Sequence, residues 1–279
     1  MYLFLCYTLF RSDIVAKNGV VKTDDFNAYY IKFGTGKKNL ILIPGVGDGL
    51  KTIKGLAKPF SILYKKFSKD YTVYYFSRRN NIPKDFTIKD MADDLVKCMD
   101  KVGIDKADVV GVSQGGMIGQ ILAINYPDRL NKLVLVVTTP KPTKILKESV
   151  NSWIEMAYNN DYKSIMLDTA KRSYTGKYYE KGLKIFGFLS KVSKPKSFNR
   201  FITMAKSCLE FNVYKDLKKI SNPTFIIGGS DDNVLGIEGS KLLNKKIKNS
   251  ELYIYEGYSH GLYEQAKDFN DRVLEYLKK

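Results

Sequence analysis

The sequence predicts an α/β protein built on a doubly wound, mostly parallel sheet that a helical insertion interrupts. Three observations carry the prediction. Short apolar runs bounded by turn residues alternate with segments of helical period. Three of those runs, "ADVVGV", "KLVLVV" and "PTFIIGG", are apolar beyond their first two residues, as parallel strands covered on both faces are. The strand signal then vanishes over residues 141–216 and returns at Pro223. Repeated strand–helix alternation implies right-handed crossovers, and sheets of this kind place their chemistry at the carboxyl ends of the strands. The expected organisation is an N-terminal extension over residues 1–19, a discontinuous core over 20–140 and 217–279, and a helical cap over 141–216.

Taken in order, the chain opens with "MYLFLCYTLF", an apolar run too short to span a bilayer and lacking the basic n-region and small-residue cleavage site of a secretion signal. "FNAYYIKFGTGKKNLILIP" predicts a hairpin whose second arm, residues 39–43, enters the sheet, and "YTVYYFSRR" predicts a strand over residues 71–76. "TIKDMADDLVKCMDKVG" sets Ile88, Met91, Ala92, Leu95, Met99 and Val102 at helical spacing, with Thr87 as N-cap, Asp90 three residues on, and Gly103 as the stop. After "ADVVGV" a second helix is expected to run to about Tyr126, before Pro127. In the insertion, "SVNSWIEMAYNNDYKSIMLDTAKRSY" and "FNRFITMAKSCLEFNVY" have apolar spacings that fit helices. The core resumes with "PTFIIGG", a strand within "ELYIYEGYSH", and a closing helix.

Composition excludes some functions. The chain has 279 residues, 44% of them hydrophobic, enough for a sizeable buried core. Its formal net charge of +17 invites a nucleic-acid reading, but the basic residues are spread along the chain, usually in pairs such as Lys65-Lys66 and Lys245-Lys246, with acidic residues between them. This is a lysine-rich solvated surface, capable at most of weak attraction to anionic surfaces; no nucleic-acid partner and no membrane insertion are expected. Three scattered cysteines form no metal-binding or disulfide pattern, so a reducing, cytoplasmic setting without a metal or cofactor is expected. Oligomeric state is left open.

The residues with chemical promise begin in "VVGVSQGGMIGQILAINYP". Gly111-Val112-Ser113-Gln114-Gly115 is a G-x-S-x-G that follows a strand and opens a helix. A serine at so sharp a turn takes strained backbone angles, and side chains two residues to either side would collide, which explains the glycines. The turn lifts the Ser113 hydroxyl above the sheet at a helix N-terminus, where backbone N–H groups can stabilise an oxyanion. A serine needs a base. His260 is the sole histidine, and it lies after a strand, at the start of the loop into the last helix. Between them, "PTFIIGGSDDNVLG" supplies an acid, and Asp231 and Asp232 both qualify by chemistry.

These landmarks resemble the α/β-hydrolase fold superfamily, in its capped, single-domain serine hydrolase branch. The likeness covers about residues 27–277 and rests on "LILIPGVGDG", the segment from "FTIKDMADDL" through the serine turn to "LVLV", "PTFIIGGSDDNV" and "YEGYSHGLYEQAKDFNDRVLEYL". The resemblance implies a Ser113–His260–Asp232 triad, since the family's acid follows a strand-ending glycine by three residues and Gly229 is that glycine, with Asp231 in reserve. It implies backbone N–H groups of Val46 and Gln114 as the oxyanion pair, with Pro44-Gly45-Val46 replacing the family's His-Gly-x. It also implies an acyl-enzyme reaction on a small-molecule acyl substrate, most simply a carboxylic ester. Aminopeptidase, carbon–carbon hydrolase, perhydrolase and acyltransferase chemistry on the same frame are alternatives, as is a non-catalytic ligand-binding protein. Trp153 and Met156, with Tyr158, Phe186, Phe188 and Phe201, are the candidate substrate walls contributed by the cap. "FSRRNNIP" departs from the family's Asp-x-Arg-Gly turn, leaving Arg78 or Arg79 to meet an anionic substrate group or to form a structural ion pair.

Overall fold

A computed structural model describes residues 15–279 of the chain. In chain order the elements are β1 (Ala16–Lys22), β2 (Asn27–Phe33), β3 (Lys38–Ile43), α1 (Ala57–Leu63), β4 (Tyr71–Phe76), α2 (Ile88–Lys101), β5 (Ala107–Val112), α3 (Gln114–Asn125) and β6 (Leu130–Val136). Then come α4 (Lys144–Tyr158), α5 (Tyr162–Ser173), α6 (Lys177–Val192), α7 (Asn199–Glu210), β7 (Thr224–Gly229), α8 (Glu238–Lys246), β8 (Ser250–Tyr255), α9 (Leu262–Gln265) and α10 (Phe269–Lys278). One eight-stranded sheet has the order β1-β2-β4-β3-β5-β6-β7-β8; β1 and β2 run antiparallel to their neighbours and the remaining pairs are parallel.

Beyond their first residues the central strands are apolar because both faces are covered, and alternate residues serve opposite layers. Ile41, Ile43, Val109, Leu133 and Leu135 pack with α2 and α3 on one side. Leu40, Leu42, Val110, Val134 and Val136 pack with α1 and α10 on the other. Helix α2 begins at the expected capping box: the Asp90 N–H donates to the Thr87 hydroxyl and the Asp90 carboxylate accepts from the Thr87 N–H, while Gly103 takes φ +74° just past the end.

Two expectations are corrected. β2 and β3 do not form a hairpin, because β4 lies between them; the hairpin is β1–β2. The link over residues 34–37 passes close to the start of β4, where Gly34 (φ +84°) leaves no room for a Cβ, which would stand 2.3 Å from the Tyr71 carbonyl oxygen. The boundary drawn at residue 19 falls inside β1, which pairs along its whole length with β2. The remainder of the expected extension, residues 1–14, lies outside the described residues.

Four helices, α4 to α7, occupy the stretch between β6 and β7. α4 packs on α7 and α5 on α6, and α7 reaches the 3-10 turn Val46–Gly49 after β3. Their apolar faces join the same buried cluster as α2 and α3. No helix among the described residues is long and apolar enough to cross a membrane.

The strand that leads to Ser113 is anchored at its start by a polar tie. The pairing of β5 with β6 slips at Asp108, and there the Asp108 carboxylate accepts the Lys132 N–H (3.1 Å) and the Tyr71 hydroxyl (2.8 Å), joining β4, β5 and β6. Tyr71→Phe would leave a buried carboxylate oxygen short of a donor, so it should cost about 1–3 kcal/mol in urea denaturation.

Candidate active site

The carboxyl ends of β3, β5, β7 and β8 meet under α4 to α7, and a cavity of about 830 Å³, mouth included, lies between them. Its floor includes Gly45, Val46, Ser113 and His260. Trp153, Met166, Phe186 and Phe201 from the four inserted helices supply apolar walls, and Thr169, Ser173, Tyr263 and Glu264 supply polar ones.

Ser113 takes φ 56° and ψ −120°, a conformation unfavourable for a residue with a Cβ. Backbone bonds over-determine it. Its N–H donates to the Val136 carbonyl (2.9 Å), and its own carbonyl accepts from the Gly116 N–H (2.9 Å) and the Thr138 hydroxyl (2.8 Å). The glycines around it clear space, although not only from each other. A Cβ at Gly111 would stand 2.4 Å from the Gly115 carbonyl oxygen, but one at Gly115 would stand 2.1 Å from the carbonyl oxygen of Ile43, at the end of β3. Gly115 thus lets α3 seat against the turn that bears Val46.

The structure brings the third group to the second. His260 Nδ1 lies 2.9 and 3.2 Å from the two carboxylate oxygens of Asp232, and both side chains are buried. Asp232 Oδ1 also accepts the N–H groups of Val234 and Leu235, each at 2.9 Å. Burial works to raise this carboxyl, but the charge and hydrogen bond of His260, with those two N–H groups, outweigh it and hold it below the ordinary carboxylate value. Asp231 is exposed and accepts from the Ser230 hydroxyl (2.7 Å). With Nδ1 engaged by Asp232, Nε2 is the ring nitrogen left to act in the cavity that His260 shares with Ser113.

Val46 opens a 3-10 turn and Gln114 is the first residue of α3, so neither N–H has an acceptor within its own helix. The Gln114 side chain is buried and turned away: its Nε2 donates to the Met204 carbonyl (2.7 Å) on α7 and its Oε1 accepts from Arg78. Asp48, in the Val46 turn, pairs with Arg200 of α7 at 2.6 Å. Burial pushes the Cys98 and Cys208 thiols up to about 12, so neither is a thiolate near neutrality. Burial likewise pushes the Tyr263 phenol up to about 12, keeping it a hydrogen-bond donor beside the cavity. No group of three or more His, Cys, Asp or Glu among the described residues could hold a metal ion.

Other sequence candidates fall differently. Trp153, Phe186 and Phe201 line the cavity; Met156 does not, because α4 turns it to the half-buried flank of the apolar cluster. Tyr158 and Phe188 are exposed. Neither arginine of "FSRRNN" faces the cavity. Arg79 pairs through two nitrogens with Asp94, and Arg78 is buried under the floor, bonded to Pro44 and Gln114. Met166, Tyr174 and Tyr263 were not legible as cavity residues, since nothing in the spacing of an isolated segment says which flank meets another segment.

A family model described as alpha/beta hydrolase fold matches residues 38–267. A RutD protein of Caulobacter sp. (strain K31), named as a candidate carbamate hydrolase, is 30% identical over 198 residues, 68% of this chain and 72% of its own length. The 3-oxoadipate enol-lactonase 2 of Acinetobacter baylyi is 25% identical over 194 residues, 70% of this chain and 72% of its own. Among solved structures, MGS-M2, an alpha/beta hydrolase enzyme from a Medee basin deep-sea metagenome library, superposes with a TM-score of 0.81 at 23% identity, covering 94% of this chain and 98% of its own.

The close seating of α3 against β3 has a measurable consequence. Gly115→Ala should destabilise by about 1–3 kcal/mol through overpacking, whereas Gly47→Ala, whose Cβ would meet no atom within 4 Å, should stay within about 0.5 kcal/mol of wild type in the same denaturation assay.

Proposed function

This chain belongs to the alpha/beta hydrolase fold family, and from that premise we propose that it is a serine hydrolase that cleaves a carboxylic ester through an acyl-enzyme. One observation carries the reading: Ser113 and His260 line one cavity while the buried Asp232 carboxylate holds His260 Nδ1 at 2.9 Å.

In this reading Ser113 Oγ attacks the acyl carbonyl as His260 Nε2 takes the hydroxyl proton, and Asp232 orients the ring and stabilises the imidazolium. The N–H groups of Val46 and Gln114 receive the oxyanion. His260 then passes the proton to the departing alkoxide, water attacks the acyl-enzyme through the same base, and Ser113 is restored. Trp153, Met166, Phe186 and Phe201 favour an apolar acyl group. The relatives' names support the bond class: an enol lactone is a cyclic ester, and a carbamate presents the same carbonyl electrophile.

Fluorophosphonate should modify Ser113 alone, with Ser113→Ala abolishing both labelling and hydrolysis of an activated ester; labelling at another serine with Ser113→Ala still active would sink the proposal. The two adjacent aspartates give a second check. Asp232→Asn should fold yet lower kcat by about three to four orders of magnitude, because an amide favours the wrong imidazole tautomer. Asp231→Asn, which alters an exposed contact to Ser230, should cost no more than about tenfold. The reverse ranking on the same ester would move the orienting role to Asp231.

A further inference from the structure

We infer that Arg78 is the positioning residue of the oxyanion site, holding the two backbone turns that carry the Val46 and Gln114 N–H groups at their working separation. The inference rests on the serine hydrolase reading above. One guanidinium nitrogen, Nη2, donates both to the carbonyl of Pro44, two residues before Val46, and to Oε1 of Gln114 (3.1 Å). Remove that donor and two oxygen acceptors face each other with nothing between them. Their repulsion, together with the desolvation of each, would push the turns apart.

The main chain of the same residue ties in a third segment. The Arg78 N–H donates to Asp48 Oδ2 (3.0 Å), and that oxygen also binds Arg200 of α7 (2.6 Å). Gln114, held by Arg78 at Oε1, is held by the Met204 carbonyl of α7 at Nε2. Residue 78 therefore joins the end of β4 to the Val46 turn, the serine turn and the inserted helices.

Comparison with its neighbour separates this role from simple stabilisation. Arg79 engages Asp94 with both Nε and Nη2 and lies over the rings of Phe26 and Phe86, as a structural arginine does. Arg78 is more deeply buried in the core, yet its Nε and Nη1 have no hydrogen-bond partner among the described residues, and the Asp48 carboxylate beside it is shared with a second arginine. A buried cation left with two idle donors is costly to stability, and such costs are retained where function needs the group. Its cationic charge, close under the N-terminus of α3, also favours the negative charge that develops on the substrate oxygen.

The test compares Arg78→Met and Arg78→Lys with wild type, each normalised to the sites titrated by fluorophosphonate at Ser113. For Arg78→Met, kcat per titrated site should fall about 100-fold with KM within about threefold, as expected when transition-state donors are displaced and substrate contacts are not. Affinity for phenylboronic acid, which forms an anionic tetrahedral adduct on Ser113, should fall in parallel. Arg78→Lys should lie between, since one ammonium keeps the charge without the fork. A purely structural role would lower the melting temperature and the number of titratable sites, and leave kcat per site and boronate affinity unchanged; that result overturns the inference and leaves the serine hydrolase reading intact. Should Arg78→Met not fold, Gln114→Met removes the acceptor at the other end of the bridge, and it must show the same kcat-selective loss or the inference fails. A wild-type protein unlabelled at Ser113 overturns the reading and the inference together.

Discussion

The cavity floor is organised by the need to keep Ser113 at φ 56° and ψ −120°. A non-glycine residue in that region costs about 1–3 kcal/mol and persists only where its surroundings over-determine it. They do so from three sides: β6 accepts its N–H at Val136, the Thr138 hydroxyl just past β6 donates to its carbonyl, and α3 begins at once with the Gly116 N–H bonded back to it. Each of those supports depends on the parallel register of β5 between β3 and β6, which the Asp108 tie with Tyr71 and Lys132 holds at the strand's far end. The backbone geometry at one end of β5 thus depends on a polar anchor at the other.

The inserted helices are more than a roof. Their apolar faces are continuous with the cluster under α2 and α3, and α7 makes polar contact with both turns of the floor, through Arg200 to Asp48 and through the Met204 carbonyl to Gln114. Wall and floor are therefore mechanically coupled: a shift of α7 moves charged and hydrogen-bonded partners of the residues beside Ser113. The formal charge of +17 plays little part here. Beside the floor Asp48 pairs with Arg200 and the Asp232 carboxylate is bonded to His260, while the lysine ion pairs, such as Lys66–Asp271 and Lys97–Asp25, are exposed and worth little.

Much of this was determined by local chemistry and so was readable in the sequence. The central strands are marked by apolar runs, α2 by Thr87, Asp90 and Gly103, and the serine turn by glycines whose absent Cβ atoms leave space that the structure shows to be needed. Ser113, the Asp231-Asp232 pair and His260 each stand just past a strand in the sequence, and the choice of Asp232 came from the resemblance to the family. For α2 and for Gly111 the cause lies within a few residues of its effect, whereas the room that Gly115 leaves is needed by Ile43 of β3.

What only the tertiary structure decided depends on segments distant in the chain. β2 and β3 look like a hairpin until β4, some thirty residues later, comes between them. Asp231 and Asp232 carry the same side chain, and only the placement of the loop after β8 turns one toward Nδ1 of His260 and leaves the other exposed. Met156 and Trp153 share a helix face by spacing, but α7 and the cavity rim decide which of them lines the void. For Arg78 the sequence left open an anionic substrate group or a structural ion pair, because no local pattern records that Pro44 and Gln114 both bind its guanidinium. Propensity and periodicity act over one or two turns of chain, whereas these contacts span from 28 to more than 30 residues, and such pairings exist only once the sheet has closed.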